Sequence, residues 1–283
     1  MLGKPSSVRS WLLATALLLP TAATAQVEGP SIDVPPVSDA PPGQDAVQRG
    51  LQGPEGMLHA RVILHMNTSS DAVGEPISLA PDLYYAFSDT FQAGIVHNLP
   101  MGWLTRPGAG LCLTGEDGGC PQVYDNVGVD TLVGLAFGDF HFSLHTGLYA
   151  LQISDPTFLM LTVGAAIKFH FGERVALFLD PQVGFAVTER DGDNHDFLFL
   201  PADLQFQLTP RFVLKILSGV SGPIDDLGDA AQVPLGAGVD FNVSTGLDIG
   251  LRYSFDNLLG PQPAGSDNTD LSSLALLLQL RFP

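Results

Sequence analysis

The chain has 283 residues, a formal net charge of −18 and a charged fraction of only 15%. Hydrophobic residues make up 45% of it, yet no uninterrupted apolar run beyond residue 25 reaches the roughly 18 residues that a membrane helix needs. The strong acidity argues against a nucleic-acid partner, which requires a basic face. Apolar residues that are spread at period two account for this composition, so the chain predicts an all-β protein.

The first 25 residues have the three parts of a secretory signal peptide. Lys4 and Arg9 form a basic start, an apolar core runs from Trp11 to Leu19, and Ala23-Thr24-Ala25 is a small-residue exit. We expect cleavage before Gln26. Cleavage removes two positive charges and leaves the mature chain near −20. A membrane anchor is the alternative, but the apolar core is too short to span a bilayer.

Residues 26–56 contain six prolines among acidic and small residues. They show no periodicity, so this stretch predicts a disordered periplasmic tether that builds no core. Nothing in its sequence identifies a periplasmic partner. The folded domain is then expected over residues 57–283.

Every predicted strand of this domain has one apolar face. In the last strand Leu274, Leu276, Leu278, Leu280 and Phe282 share one parity, and alternate residues of a strand point to opposite faces. With the apolar parity assigned outward, no Asp, Glu, Lys or Arg faces outward in any strand, as contact with lipid requires. Phenylalanines gather at the short turns and predict an interfacial girdle, formed by Phe87, Phe91, Phe137, Phe140, Phe171, Phe212 and Phe282.

Turn signals divide residues 57–283 into twelve candidate strands, with ten or fourteen as the alternatives. Two-residue connections such as Ser88-Asp89 alternate with long ones, up to residues 99–125. Barrels of the outer membrane have short periplasmic turns and long external loops, and an even strand number places both chain ends on the periplasmic side. The predicted strands are 57–67, 76–88, 90–98, 126–138, 139–151, 157–171, 174–188, 196–208, 211–220, 233–244, 246–257 and 270–282.

Three prolines fall inside predicted strands, namely Pro81, Pro181 and Pro201. A closed barrel has no edge strand, and proline cannot donate a hydrogen bond to the ladder. We therefore expect bulges at these positions, or strand ends displaced from the predicted boundaries.

In these features the chain resembles the outer-membrane β-barrel proteins of Gram-negative bacteria. The resemblance covers residues 57–283 and rests on architecture. It implies a closed, antiparallel, up-and-down transmembrane β-barrel of porin type, which contacts outer-membrane lipid and lipopolysaccharide. The stretch 271–282 resembles the signal that the barrel-insertion machinery reads, although Pro283 follows the terminal Phe282 and the strand has no glycine.

The inward parity carries six basic and six acidic residues together with histidines and tyrosines. Around eight strands leave an interior that side chains fill, and 16–18 leave an open channel. With twelve strands the lumen is either a narrow water-filled pore or is closed by side-chain pairs or by an inward-folded loop. The residues predicted to line it are Arg61, Asp82, Tyr84, Asp130, His141, His145, Lys168, His170, Asp180, Asp203, Arg211, Lys215, Asp240, Asp248, Arg252 and Arg281.

The predicted external loops are strongly acidic. With their strand-edge residues they hold 16 Asp and Glu against Arg106 and Arg190. A negative mouth concentrates cations and repels anions, which predicts a weak cation preference. Solvated loops that bind divalent ions beside lipopolysaccharide are the alternative.

The predicted loops contain three candidates for special chemistry. Cys112 and Cys120 lie in the second long loop, and an even cysteine count in an exported chain predicts a disulfide. Asp191, Asp193 and Asp196 resemble half of a calcium loop without its glycine and its bidentate glutamate, so they form only a weak candidate metal site.

Asp193 and His195 also form an acid–histidine pair that could activate water in a surface hydrolase. We expect instead a chain that is not an enzyme and needs no cofactor. The leading hypothesis is a narrow, passive, weakly cation-preferring channel for small solutes or ions. The alternative is a closed structural or adhesive barrel whose acidic loops bind a surface partner, and a hydrolase is a remote third.

Overall fold

The structure is a computed structural model that describes residues 46–98, 109–120, 122–124, 126–192, 194–261, 267 and 269–283. The predicted signal peptide and residues 26–45 of the predicted tether lie outside these residues. Helical structure in the described part is limited to the 3₁₀ turns Ala46–Gln48, Glu116–Gly118 and Ile224–Asp226 and to one α-helix, Leu227–Ala230. None of these helices is long and apolar enough to cross a membrane.

The period-two sequences form fourteen strands within the described residues. Their bounds are β1 Leu58–Asn67, β2 Ile77–Ser88, β3 Phe91–Val96, β4 Leu111–Cys112, β5 Val127–Ala136, β6 Phe140–Gln152, β7 Phe158–His170, β8 Val175–Leu179, β9 Gln182–Ala186, β10 Phe197–Thr209, β11 Phe212–Pro223, β12 Leu235–Ser244, β13 Leu247–Phe255 and β14 Ser272–Phe282.

These strands close into an antiparallel barrel. The first and last strands pair along ten residues, from Leu58 opposite Phe282 to Asn67 opposite Ser273, and β1 also pairs with β2. Strands β8 and β9 are two halves of one wall strand, since both pair with β7 and β10. The two-residue β4 pairs with β2 from within a loop. The wall therefore has twelve strands, which confirms the predicted closed up-and-down barrel.

The three prolines lie at interruptions of the strand ladder. Pro181 separates β8 from β9, and Pro201 lies opposite this break, where its carbonyl accepts a hydrogen bond from the Asp180 N–H at 3.2 Å. Pro81 faces the gap between β3 and β4. Pro81 and Pro201 thus face a gap in a neighbouring strand, and Pro181 lies in the gap of its own strand, which explains how a closed barrel tolerates these prolines. Gly164 of β7 permits the break, because a Cβ there would lie 2.1 Å from the Pro181 carbonyl oxygen.

The outer surface of the wall is an apolar belt. Leu161, Val163, Leu251 and Leu276 are between 41% and 47% exposed, whereas every Asp, Lys and Arg inside a described strand is buried or half-buried. The ends of the strands at the two-residue turns carry exposed phenylalanines, among them Phe87, Phe140 and Phe282. We call this the short-turn end of the barrel and the opposite end the long-loop end. An apolar belt with aromatic residues at its margin is the surface that a bilayer requires.

The belt yields a direct test at the centre of β13. Leu251→Arg should lower the free energy of unfolding in lipid vesicles by about 2–4 kcal/mol, because a cation at the midplane loses its hydration. Chemical denaturation of the refolded protein measures this value. Leu259→Arg is the matched control, since Leu259 is 74% exposed in a loop. Equal effects of the two substitutions would show that Leu251 does not contact lipid.

Candidate functional site: the lumen of the barrel

The inner wall carries charged side chains that pair across neighbouring strands. Arg61 and Asp82 are partners in the β1–β2 register, and Arg61 Nη2 lies 2.6 Å from Asp82 Oδ2. Asp82 also accepts hydrogen bonds from the His97 backbone N–H at 2.7 Å and from Asn98 Nδ2 at 2.9 Å. A buried carboxylate requires such a full set of donors.

A second group joins strands β10 to β13. Asp240 lies between Lys215, whose Nζ is 2.9 Å from Oδ2, and Arg252, whose Nη2 is 3.2 Å from Oδ1. Lys215 also reaches Asp203 at 3.3 Å. Asp240 is paired in register with Gly250, where a Cβ would lie 2.4 Å from its Oδ1. Glycine at this position therefore leaves the space that the carboxylate occupies.

A histidine connects two carboxylates on the opposite wall. His145 Nε2 lies 2.8 Å from Asp130 Oδ1, and His145 Nδ1 lies 2.8 Å from Asp180 Oδ1. Carboxylates accept hydrogen bonds, so the ring donates to both only when both nitrogens carry hydrogen. The hydroxyl of Tyr149 donates to Asp130 at 3.2 Å, and that of Tyr84 at 3.4 Å.

Residues 46–53 enter the lumen at the short-turn end, and we call them the inner segment. Val47 is fully buried and packs with Ala176 of β8 and Val213 of β11. The Val47 N–H donates to Gln207 Oε1 of β10 at 3.1 Å. The Gly53 N–H donates to Gln92 Oε1 of β3, also at 3.1 Å. The inner segment therefore touches strands on opposite sides of the barrel.

Charged and polar groups of the wall hold the middle of the inner segment. Arg49 pairs with Asp248 of β13, which also pairs with Arg281 of β14 at 2.7 Å. Lys168 Nζ of β7 donates to the Arg49 carbonyl at 2.9 Å. His170 Nε2 donates to the Val47 carbonyl at 3.0 Å. The backbone groups that Lys168 and His170 contact are both carbonyl oxygens, which accept hydrogen bonds from these two donors.

This placement differs from the tether that composition predicted over residues 26–56. Residues 46–53 have no strand or long-helix periodicity because they contact the wall through single side chains and backbone groups. One sequence signal was present. Arg49 is the only Lys or Arg between residues 26 and 56, and its partner Asp248 was among the predicted inward residues.

The predicted lumen residues occupy the inner wall with one exception. Arg211 is exposed in the turn between β10 and β11, because β11 begins only at Phe212. Arg49 replaces it in the interior, so the six-to-six balance of cations and carboxylates is kept with a different member. His141 and His170 lie near the short-turn end with ring centroids 5.2 Å apart.

The lumen is narrow and largely filled. Asp82, Asp130, Lys168, Asp240 and Arg252 are each less than 10% exposed, as side chains along an open water-filled pore would not be. A partly open cavity of about 230 Å³ remains between the inner segment and the wall. Among the described residues, side-chain pairs and the inner segment fill the lumen.

The loops at the long-loop end show one of the predicted features directly. Cys112 and Cys120 form a disulfide, and Cys112 lies on β4, where it pairs with Ser78 of β2. The bond therefore ties part of the long loop to the rim of the barrel. Residues 99–108 of the same loop lie outside the described residues.

The candidate calcium loop is arranged differently from a metal site. Asp196 accepts two hydrogen bonds from Arg190, at 3.0 Å each, which lower the pKa of its carboxyl. Asp191 is exposed, and Asp193 lies outside the described residues. No cluster of three or more His, Cys, Asp or Glu side chains within the described residues could hold a metal ion.

Of the predicted hydrolytic pair, Asp193 lies outside the described residues and His195 is exposed at the long-loop end. His195 Nδ1 lies 3.8 Å from Asp225 Oδ2, and both side chains are solvent-accessible. Together with Arg190 and Asp196 they border a surface pocket of about 290 Å³.

At the same end of the barrel, burial raises the pKa of Asp256 to about 6 even though Ser273 donates to it at 2.8 Å.

No protein-family model matches the chain, and a comparison with curated proteins gives no match. Solved structures are similar in fold. The KdgM porin in complex with disordered oligogalacturonate is 7% identical, with a TM-score of 0.52 over 80% of this chain and 99% of that one. The NanC porin is 8% identical, with a TM-score of 0.54 over 80% and 99%. An outer membrane channel from Pseudomonas putida F1 is 12% identical, with a TM-score of 0.52 over 82% and 97%.

These identities are too low to carry a function across, but the likeness extends over nearly the whole length of each barrel. It confirms at the level of fold the resemblance that the strand pattern indicated. The chain has the porin-type β-barrel fold of Gram-negative outer-membrane proteins.

Proposed function

We propose that this protein is a passive outer-membrane channel for small solutes whose short-turn mouth is closed by its own inner segment. The observation that carries the proposal is the way in which residues 46–53 are held. They contact the wall only through side chains and single backbone groups, and none of them joins the strand ladder among the described residues. The wall is complete without them, so they can leave the lumen while the barrel stays closed.

The energies of these contacts are consistent with a movable element. Each neutral hydrogen bond contributes about 1 kcal/mol net, and a charge-assisted bond about 1.5–3 kcal/mol. The inner segment makes a handful of such bonds and buries one large apolar side chain, Val47. The wall instead has up to twelve paired residues per strand interface. Displacing the segment should therefore cost far less than opening the wall.

The same proposal gives the protein an orientation. Both the inner segment and the C-terminal Phe282 lie at the short-turn end, which corresponds to the periplasmic side of outer-membrane barrels. A periplasmic partner could then pull on the inner segment from that side. The long loops would face lipopolysaccharide, and residues 271–282 would serve as the signal for the barrel-insertion machinery.

Cation preference, within this proposal, belongs to the long-loop mouth. Asp225 and Asp226 are exposed there, as are Glu116 and Asp117 of the disulfide loop. Exposed acids raise the local cation concentration over one screening length, which is about 10 Å at 0.1 M salt and about 3 Å at 1 M. The preference should therefore be weak and dependent on ionic strength. Passage of this kind needs neither catalysis nor a cofactor.

A closed barrel that binds a surface partner through its loops remains the second candidate, and the packed lumen favours it. The disulfide between Cys112 and Cys120 braces one of those loops against β2. The two candidates differ in one property. A channel conducts once the inner segment is displaced, and a closed barrel does not.

Val47→Asp should convert a mostly silent protein into one with frequent open events in planar bilayers. The carboxylate cannot stay in the apolar contact with Ala176 and Val213, so the inner segment is expelled. Gln48→Asp is the matched control, because it adds the same charge one residue away at a partly exposed position. It should behave as the unaltered protein does. If neither variant conducts although both are correctly refolded, the channel hypothesis is contradicted and the closed barrel is favoured.

The reversal potential of the Val47→Asp channel across a KCl gradient should show a cation preference at 0.1 M salt or below that is lost near 1 M, because screening removes the loop field. Asp225→Asn with Asp226→Asn should weaken the low-salt preference. Glu55→Gln with Glu173→Gln removes two exposed acids at the other end and should have the smaller effect. A preference that is independent of salt would contradict an origin in the loops.

A further inference from the structure

The cavity of about 230 Å³ inside the lumen differs in charge from the rest of this acidic protein. It is bordered by four cations, Arg61, Lys168, Lys215 and Arg252, and by one carboxylate, Asp203. We propose that this cavity is a binding site for a small monovalent organic anion, such as an aromatic or branched carboxylate. The inference rests on the proposed function in one respect, since the inner segment forms part of the cavity. The anion would be a ligand of the closed lumen and not the solute that passes through it.

The first support is the local charge balance. Arg61 is paired with Asp82, and Lys215 and Arg252 share Asp240, with Asp203 also on Lys215. Within the described residues, four cations thus lie beside the cavity with three carboxylates, and Lys168 is the cation in excess. A buried ammonium without a counter-ion is unfavourable, and an anion beside it stabilises the charged form. A monovalent anion would complete the pairing.

Lys168 is the cation without a carboxylate. It is only 5% exposed, and its Nζ donates a hydrogen bond to the Arg49 carbonyl at 2.9 Å. No ion pair joins Lys168 to any carboxylate in the part of the chain that the structure describes. An ammonium has three donors, so Lys168 can keep this carbonyl and also bind an anion.

The remaining lining determines what kind of anion fits. Leu51, Ile63, Phe178 and Leu277 supply apolar surface, which a bare inorganic ion would not use. An apolar cavity of about 150 Å³ accepts benzene, so the space here is sufficient for a benzene ring with a carboxylate. Charge-assisted hydrogen bonds to the carboxylate and burial of the ring would act together.

The inner segment forms part of this site. Gly50 and Leu51 line the cavity. Lys168 also lines it and donates a hydrogen bond to the Arg49 carbonyl. An anion bound there contacts the inner segment only when the segment lies in the lumen. By linkage, the anion should favour the closed state, and expulsion of the segment should weaken anion binding.

The test is calorimetric titration of the full-length refolded protein with benzoate, in a sulfate buffer free of chloride. Benzoate should bind, and benzyl alcohol, its neutral analogue, should bind about tenfold more weakly or not at all. Lys168→Met should reduce benzoate affinity by about tenfold. Arg211→Met is the matched control, because it removes one positive charge from an exposed turn and should leave the affinity unchanged.

Each result decides a separate point. Equal binding of benzoate and benzyl alcohol, or unchanged affinity in Lys168→Met, would overturn the anion site. The comparison of benzoate with its alcohol needs no variant, so it stands even if Lys168→Met fails to refold. Displacement of benzoate by an equal concentration of chloride would indicate an inorganic-ion site and overturn the organic ligand. Binding is measured without current, so benzoate binding in a protein that never conducts would refute the channel and keep the site.

Discussion

The structure depends on one constraint, which is that the outer surface of the wall can present neither charge nor unpaired backbone to a bilayer. The closed ladder meets the second part of it, with β1 and β14 joined along ten residues. Because the outer surface excludes charge, every charged residue of the described strands lies on the inner side. The narrow interior of a twelve-stranded barrel gives those charges little water, so they must pair with one another. The ion pairs of the lumen are thus a consequence of the apolar belt outside.

The inner segment belongs to the same balance. The wall strands contribute five Lys and Arg residues but six aspartates to the interior, and Arg49 supplies the sixth cation on Asp248. Arg49 can leave the lumen because the inner segment is outside the strand ladder. A cation on a wall strand cannot leave. Displacing the inner segment would therefore open the short-turn mouth and also remove Arg49 from Asp248. The closure of the lumen and its charge balance are coupled in this way. The cavity beside Lys168 has an excess of positive charge instead of negative charge. An anion bound there would restore the balance.

Much of the fold was accessible from the sequence because the barrel imposes a strict alternation. The apolar parity located the strands, and Asp82 and Lys168, which the same parity assigned inward, are buried in the structure. The structure departs from the simple pattern where alternation does not apply. Arg211 lies one residue before β11 begins, and the Asp180-Pro181 break divides what reads as one strand. Residues 46–53 have no periodic contacts, so composition alone suggested disorder. Pairings such as Asp130 with His145 and Asp180 depend on three strands at once, and no local pattern encodes them.

The central claim is a barrel that sits in lipid with its charges inside. Spin labels placed singly along β13, residues 247 to 255, in vesicles would test it most directly through collisions with oxygen and with a polar nickel reagent. The account predicts oxygen accessibility that alternates at period two, with maxima at Ile249, Leu251 and Tyr253 and minima at Asp248 and Gly250. Uniform access of the nickel reagent to both parities, or maxima on the charged positions, would contradict it.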